Sequence, residues 1–271
     1  MIRSRGTATD FIEQLRKLKK DFTVKMTSNS TEVNYNGMKF LYSLTEFQKR
    51  HLGLFQKMKS RVTKSIKEKG IIVPTIQHAK YFDCAQFKPL ERGEHFTYNN
   101  VLELDINKAY YRVLYNLGYI EEDFYNECIN LPKKIRLALV GSLATQKSIF
   151  NYVNGEIVEP EDGIYITKNE VLRNVFFQLV SEVDEALTVF QKLAAENFIF
   201  YWVDGIYLKE YPNLNFDKKV LENKYNIEFS IEDINRVVVY NRDEHSTIIA
   251  SQKVKGKRIK TFNFPCVFKN Q

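Results

Sequence analysis

Residues 101–111, VLELDINKAYY, and residues 197–209, NFIFYWVDGIYLK, decide the reading of this chain. Each is an apolar, β-rich run carrying one aspartate, Asp105 in the first and Asp204 in the second. VLELDI has the length of a short buried strand. NKAYYRVLYNLGYI follows with Ala109, Tyr110, Val113, Leu114 and Leu117 at helical intervals, so Asp105 falls at a strand-to-helix junction. In the second run, Asp204-Gly205 sits between alternating apolar residues, a hairpin-turn signal. Two readings of the acids stand side by side. Taken singly, Asp204 closes a turn and Asp105 caps the next helix. Taken together, they are carboxylates held at strand ends, where they would grip divalent metal ions for phosphoryl or nucleotidyl transfer. The main-chain carbonyl of Ile106 adds an oxygen ligand, and the expected ion is Mg2+, or Mn2+. Glu103 shares the Asp105 strand face by the period of two, and an exposed edge carboxylate is its expected role.

Outward from this pair, residues 8 to 20 suggest a helix with Phe11, Leu15 and Leu18 on one face. TEVNY and MKFLY, joined by Asn36-Gly37, predict a hairpin with a type I′ turn. Ser43 and Glu46 form a capping-box pattern, opening a helix to about Lys69 whose buried side takes Leu44, Phe47, Leu54, Phe55, Met58, Val62 and Ile66. The other face carries Lys49, Arg50, Lys57, Lys59, Arg61, Lys64 and Lys67. It is either a solvated surface or a track for a phosphate backbone, with Lys57, Arg61 and Lys64 as nucleic-acid contacts. A helix over roughly 132 to 150 is predicted, opening at Pro132 and carrying Lys133, Lys134, Arg136 and Lys147. A long helix is expected over 168 to 196. Strands are expected at RVVVYN and STIIASQKV, with a turn at Lys255-Gly256. The sum is an α+β chain, an antiparallel sheet backed by helices. Residues 1 to about 90 form a basic α/β accessory region, and residues 91–271 form the domain that carries the aspartates.

Composition limits the alternatives. The 271 residues are 44% hydrophobic, enough for a substantial core, and the net charge of +7 favours an acidic partner, nucleic acid rather than membrane. Cys84, Cys128 and Cys266 lie far apart without CxxC spacing, which excludes a cysteine zinc site and points to a reducing, cytoplasmic setting. No GxxxxGK phosphate loop or serine or cysteine nucleophile motif occurs, and the four histidines lack metal-ligand spacing.

DINKAYY resembles the first catalytic motif of family B DNA polymerases, aspartate-two residues-serine-leucine-tyrosine-proline. Lys108 stands for the serine, Ala109 for the leucine and Tyr111 for the proline. YWVDGIYLK resembles the third motif, aspartate-threonine-aspartate-serine, with Asp204 at the second aspartate, Gly205 at the serine and Trp202 at the first aspartate. The resemblance implies a polymerase-type palm in which Asp105 and Asp204 are catalytic and Tyr110 packs under the deoxyribose. It also implies short fingers over about 107–150. KKIRLALVGSLATQK resembles the fingers motif that meets the incoming triphosphate, placing Arg136 in the lysine position, or Leu137 in an alternative register, with Lys133, Lys134 and Lys147 nearby. KGKRIKTF resembles the basic motif that contacts the primer strand, through Lys257 and Arg258. The implied partners are DNA and dNTPs, with a replication protein as a further candidate. The implied activity is nucleotidyl transfer onto a primer or protein hydroxyl. A palm-derived binding module whose catalysis has decayed, and a reverse-transcriptase-like or primase-like enzyme, are the alternatives. No proofreading exonuclease is expected within this length.

Overall fold

The computed structural model describes residues 7–27, 30–43, 46–85, 93–144, 146–158, 164–167, 169–243, 246–253 and 259–265. In chain order it runs α1 (Ala8–Lys17), β1 (Phe22–Thr27), β2 (Ser30–Tyr35), β3 (Met38–Ser43), α2 (Glu46–Lys69), β4 (Phe82–Cys84), β5 (His95–Ile106) and α3 (Ala109–Asn116). Then come α4 (Glu122–Ile129), α5 (Lys133–Gly141), β6 (Gln146–Val153), β7 (Glu156–Ile157), β8 (Ile164–Thr167) and α6 (Glu170–Ala194). The last elements are β9 (Phe198–Trp202), β10 (Gly205–Lys209), α7 (Leu214–Tyr225), β11 (Phe229–Asp243), β12 (Ser246–Lys253) and β13 (Ile259–Pro265). The class is α+β, with two antiparallel sheets and helices.

Two compact units share the chain. The first takes residues 1–77 and 118–177, and the second takes residues 78–117 and 178–271. The units interleave along the chain, because β6 returns to pair with β1.

The first unit is built on the sheet β3-β2-β1-β6-β7, with β8 also on β6. Asn36 and Gly37, both at positive φ, make the expected hairpin turn between β2 and β3. Helix α1 starts with a reciprocal cap: Thr7 Oγ1 accepts from the Asp10 N–H, and the Asp10 carboxylate accepts from the Thr7 N–H. It buries Phe11 and Leu15 against Val24, Val33 and Tyr152, and the Phe22 and Tyr152 rings stack at 4.2 Å. Leu18 departs from the expected stripe. The helix ends at Lys17, and Leu18, as its C-cap, is 47% exposed.

Helix α2 buries Phe55, Met58 and Val62 as expected, while Leu44, the Ser43–Glu46 cap and the Phe47, Lys49 and Arg50 side chains lie outside the described residues. The helix predicted over 132–150 needs correction. It stops at Gly141, and Gln146–Val153 is a strand whose alternation matches β1, pairing Phe22 with Tyr152 and Thr27 with Lys147. Helix α4, not anticipated from sequence, buries Phe124, Tyr125 and Cys128. Burial and the neighbouring Glu127 push the Cys128 thiol up to about 12, so it stays an inert core group.

The second unit is the sheet β13-β12-β11-β5-β10-β9-β4. Strand β5 is central, paired with β11 on one side and β10 on the other. Its Leu104 and Ile106 belong to a buried face, and Ile106 lines a small cavity together with Val113 of α3 and Val183 and Ala186 of α6. Phe190 of α6 lies edge-on to Phe229, the β11 partner of Ile106. Alternation therefore puts Glu103 and Asp105 on the opposite face, away from these helices.

Gly155 tests the packing of the first unit. It has φ of +78°, and a Cβ there would lie 2.4 Å from the Arg16 carbonyl oxygen, whereas a Cβ at Gly37, φ +73°, meets nothing. Gly37→Ala is expected to cost about 1 kcal/mol and Gly155→Ala at least about 2 kcal/mol, read from urea midpoints. Equal losses would contradict the close approach at Arg16.

Candidate active site

Asp105 is the penultimate residue of β5, and its register partners are small: Gly205 on β10 and Ser230 on β11. With no side chain on Gly205 and a short one on Ser230, the half-buried carboxylate has room above the sheet. A Cβ on Gly205 would lie 3.4 Å from Asp105 Oδ1, in van der Waals contact with the carboxylate. Ser230 Oγ donates to the Asp105 carbonyl at 3.3 Å, which ties β11 to the same point.

Asp204 lies in the Val203-Asp204 turn between β9 and β10. Its carbonyl accepts from the Ile106 N–H at 2.9 Å, and the Val203 N–H donates to the Tyr81 carbonyl at 2.8 Å. The turn is thus held from both sides. That grip has a local cost, because Val203 adopts φ of +59°, a conformation that crowds a β-branched side chain by about 1–2 kcal/mol. The hairpin was expected to turn at Asp204-Gly205; it turns one residue earlier, on Val203-Asp204, with Gly205 already in β10 opposite Trp202, so a valine carries the strained position.

The two carboxylates share a neighbourhood. Burial pushes the Tyr207 phenol well above its ordinary range, and the negative charges of Glu103, Asp105 and Asp204 push it further. Tyr110 of α3 is raised by burial, then by Asp204 and Tyr81. Both phenols therefore stay protonated at neutral pH, and that of Tyr207 donates to Glu103. Tyr81 and Tyr207 were missed in the sequence. Tyr207 could have been found by alternation from Gly205, because it shares the Asp105 and Glu103 face.

Glu103 is a correction. Expected as an exposed edge carboxylate, it is 5% exposed in the central strand and accepts from the Tyr207 hydroxyl at 2.6 Å. Strand pairing on both flanks removes the edge, and the buried tyrosine supplies the donor that a buried carboxyl requires. Trp202 is half-buried, packing on the sheet core with its ring edge-on to Phe82 at 6.3 Å. Among the described residues, no group of three or more His, Cys, Asp or Glu side chains is arranged to hold a metal ion.

Lys133 and Lys134 are exposed and Arg136 half-buried on α5, in the first unit, whereas both aspartates belong to the second. Lys147 is in strand β6, not on a helix, and its side chain lies outside the described residues, as do Lys257 and Arg258. Lys57 pairs with Glu127, Arg61 with Asp123 at 3.3 Å, and Lys64 with Glu68 at 3.7 Å. No helix among the described residues is long and apolar enough to cross a membrane.

No protein-family model matches the chain. No curated protein matches it either. Among solved structures, it is similar to the family B DNA polymerase from the hyperthermophilic archaeon Pyrobaculum calidifontis, with a TM-score of 0.38 and 13% identity. The match covers 80% of this chain and 36% of that one, so the chain spans about a third of that polymerase's length. Likeness at this level assigns neither family nor activity.

The buried Glu103–Tyr207 contact sits directly beneath Asp105 and can be tested by itself. Tyr207→Phe removes the donor and is expected to cost about 2 kcal/mol of stability. Adding Glu103→Met to Tyr207→Phe is expected to recover most of that loss, because a buried polar pair replaced by apolar groups is nearly neutral. A double-mutant cycle with no coupling would show that the contact contributes nothing.

Proposed function

We propose that this chain is a minimal palm-type nucleotidyl transferase acting on DNA, in which Asp105 and Asp204 are the catalytic carboxylates. One observation carries the reading: the Ile106 N–H donates to the Asp204 carbonyl, so the turn bearing one acid is fastened beside the other. Donor chemistry supports it. Two carboxylates and the Ile106 carbonyl make a hard, all-oxygen set, and magnesium is commonly held by one or two carboxylates with substrate phosphates completing its shell. Bound there, Mg2+ or Mn2+ would offset phosphate charge and favour deprotonation of the attacking hydroxyl.

In this reading the chain's own groups bind and orient. Tyr110, kept protonated by burial and by Asp204, presents a neutral ring and hydroxyl to the sugar of the incoming nucleotide. Arg136, Lys133, Lys134 and Lys147 would meet its triphosphate, and Lys257 and Arg258 the primer strand. Residues 91–271 would then be the catalytic region with short fingers over about 107–150, and residues 1–90 its accessory. A replication protein would complete the grip on DNA.

Trp202 favours a second reading. It occupies the position where the resembling motif has an acid, and its ring packs against Phe82 rather than standing open. A palm-derived module that holds nucleic acid without catalysis would have the same environment.

Primer extension separates the two. With dNTPs and Mg2+ or Mn2+, the wild type is expected to extend a primer, and Asp105→Ala and Asp204→Ala each to lose at least about a hundredfold in rate, roughly 2.7 kcal/mol of barrier. A wild type that binds DNA yet incorporates nothing with either metal would hand the site to the second reading.

A further inference from the structure

Helix α2 divides its positive charge between two sides. On one side, Lys57, Arg61 and Lys69 are taken up by Glu127, Asp123 and Glu121, and Lys57 and Arg61 also flank the Phe124 ring, at 5.3 and 5.9 Å from its centre. These cations fasten α2 to the α4 segment. On the other side, Lys59, Lys64 and Lys67 line an open cleft of about 690 Å3, with Ser60 and Thr63 between them and Leu143 and Leu172 also in its wall. All of this cleft belongs to the first unit. Glu68 also lines the cleft and lies 3.7 Å from Lys64.

We infer that this cleft is a track for single-stranded nucleic acid, on a different unit from the carboxylate pair. The inference rests on the reading above for the class of partner, and not on catalysis. Spacing argues for a polymer. Lys59 and Lys67 are two helical turns apart, about 12 Å along the axis, so their charges form a row suited to successive phosphates rather than one compact anion site. The cleft volume argues for a single strand, because it is the size of a small-ligand pocket and too small to take in a duplex. Leu143, Leu172 and the lysine stems offer apolar surface to base faces, and no aromatic residue lines the cleft among the described residues. Binding is therefore expected to be driven by charge, tolerant of sequence and steeply dependent on salt.

The test uses the full chain and a labelled oligothymidylate of about 12 nucleotides, followed by fluorescence anisotropy across a NaCl series. The triple variant K59Q/K64Q/K67Q is expected to bind at least about tenfold more weakly at low salt. Its slope of log K against log salt should be shallower by about 2, since each single-strand phosphate contact contributes roughly 0.7. K57Q/R61Q should keep the wild-type slope while lowering the melting temperature, which separates lost contacts from lost structure. An unchanged slope in the triple variant overturns the inference. So does displacement of the oligonucleotide by polyglutamate at equal charge concentration, which would assign the cleft to an acidic protein. Asp105→Ala keeps the oligonucleotide slope if the cleft acts separately. Loss of extension in that variant, together with an unchanged slope in the triple variant, would sink the cleft and leave the catalytic reading standing.

Discussion

The hydrogen bond from the Ile106 N–H to the Asp204 carbonyl fixes where the end of β5 meets the β9–β10 turn. One residue further on, the Asn107 N–H donates to the Glu228 carbonyl at 2.7 Å, so the same strand end is also tied to the approach to β11. Held on both flanks, β5 has little freedom to change register. That matters because a one-residue slip would turn Asp105 and Glu103 toward the helix-covered face and bring Leu104 and Ile106 out of it. The strain at Val203 belongs to the same arrangement. Its N–H is anchored on Tyr81, and the turn it closes delivers the Asp204 carbonyl to Ile106. Local backbone cost is accepted where surrounding contacts over-determine the conformation.

Beneath the aspartates, the sheet face changes from polar to apolar within two residues along each strand. Glu103 and Tyr207 bond to each other, and the Tyr207 ring stacks on Phe200 at 4.0 Å, while Val101 and Ile234 close the core below. Asp105 therefore stands on a rigid floor rather than in a mobile loop. Rigid support of this kind keeps an acid in a fixed direction, which metal-holding geometry requires.

What the sequence disclosed about this site followed from local rules. Alternation in VLELDI and the Asp-Gly turn in YWVDGIYLK placed Asp105 and Asp204 at strand ends, and both turned up there. The α+β class and the Asn36-Gly37 hairpin were legible for the same reason. What escaped depends on partners distant in the chain. Glu103 looked like an edge residue because nothing local reveals that β11 will pair on the far side of β5. The segment QKSIFNYV was absorbed into a helix because helical KKIRLALVG precedes it, and its strand partner β1 lies more than a hundred residues earlier. The basic face of α2 looked uniform, since the acids that claim Lys57 and Arg61 sit at Asp123 and Glu127, in a helix with no strong sequence signal.

The most direct measurement of whether Asp105 and Asp204 act as one cation site is a manganese titration followed by the EPR signal of the free ion. Shared coordination predicts a saturable site in the wild type that weakens at least about tenfold, 1.4 kcal/mol, in Asp105→Asn and again in Asp204→Asn. Manganese binding that is the same in both variants as in the wild type would contradict it.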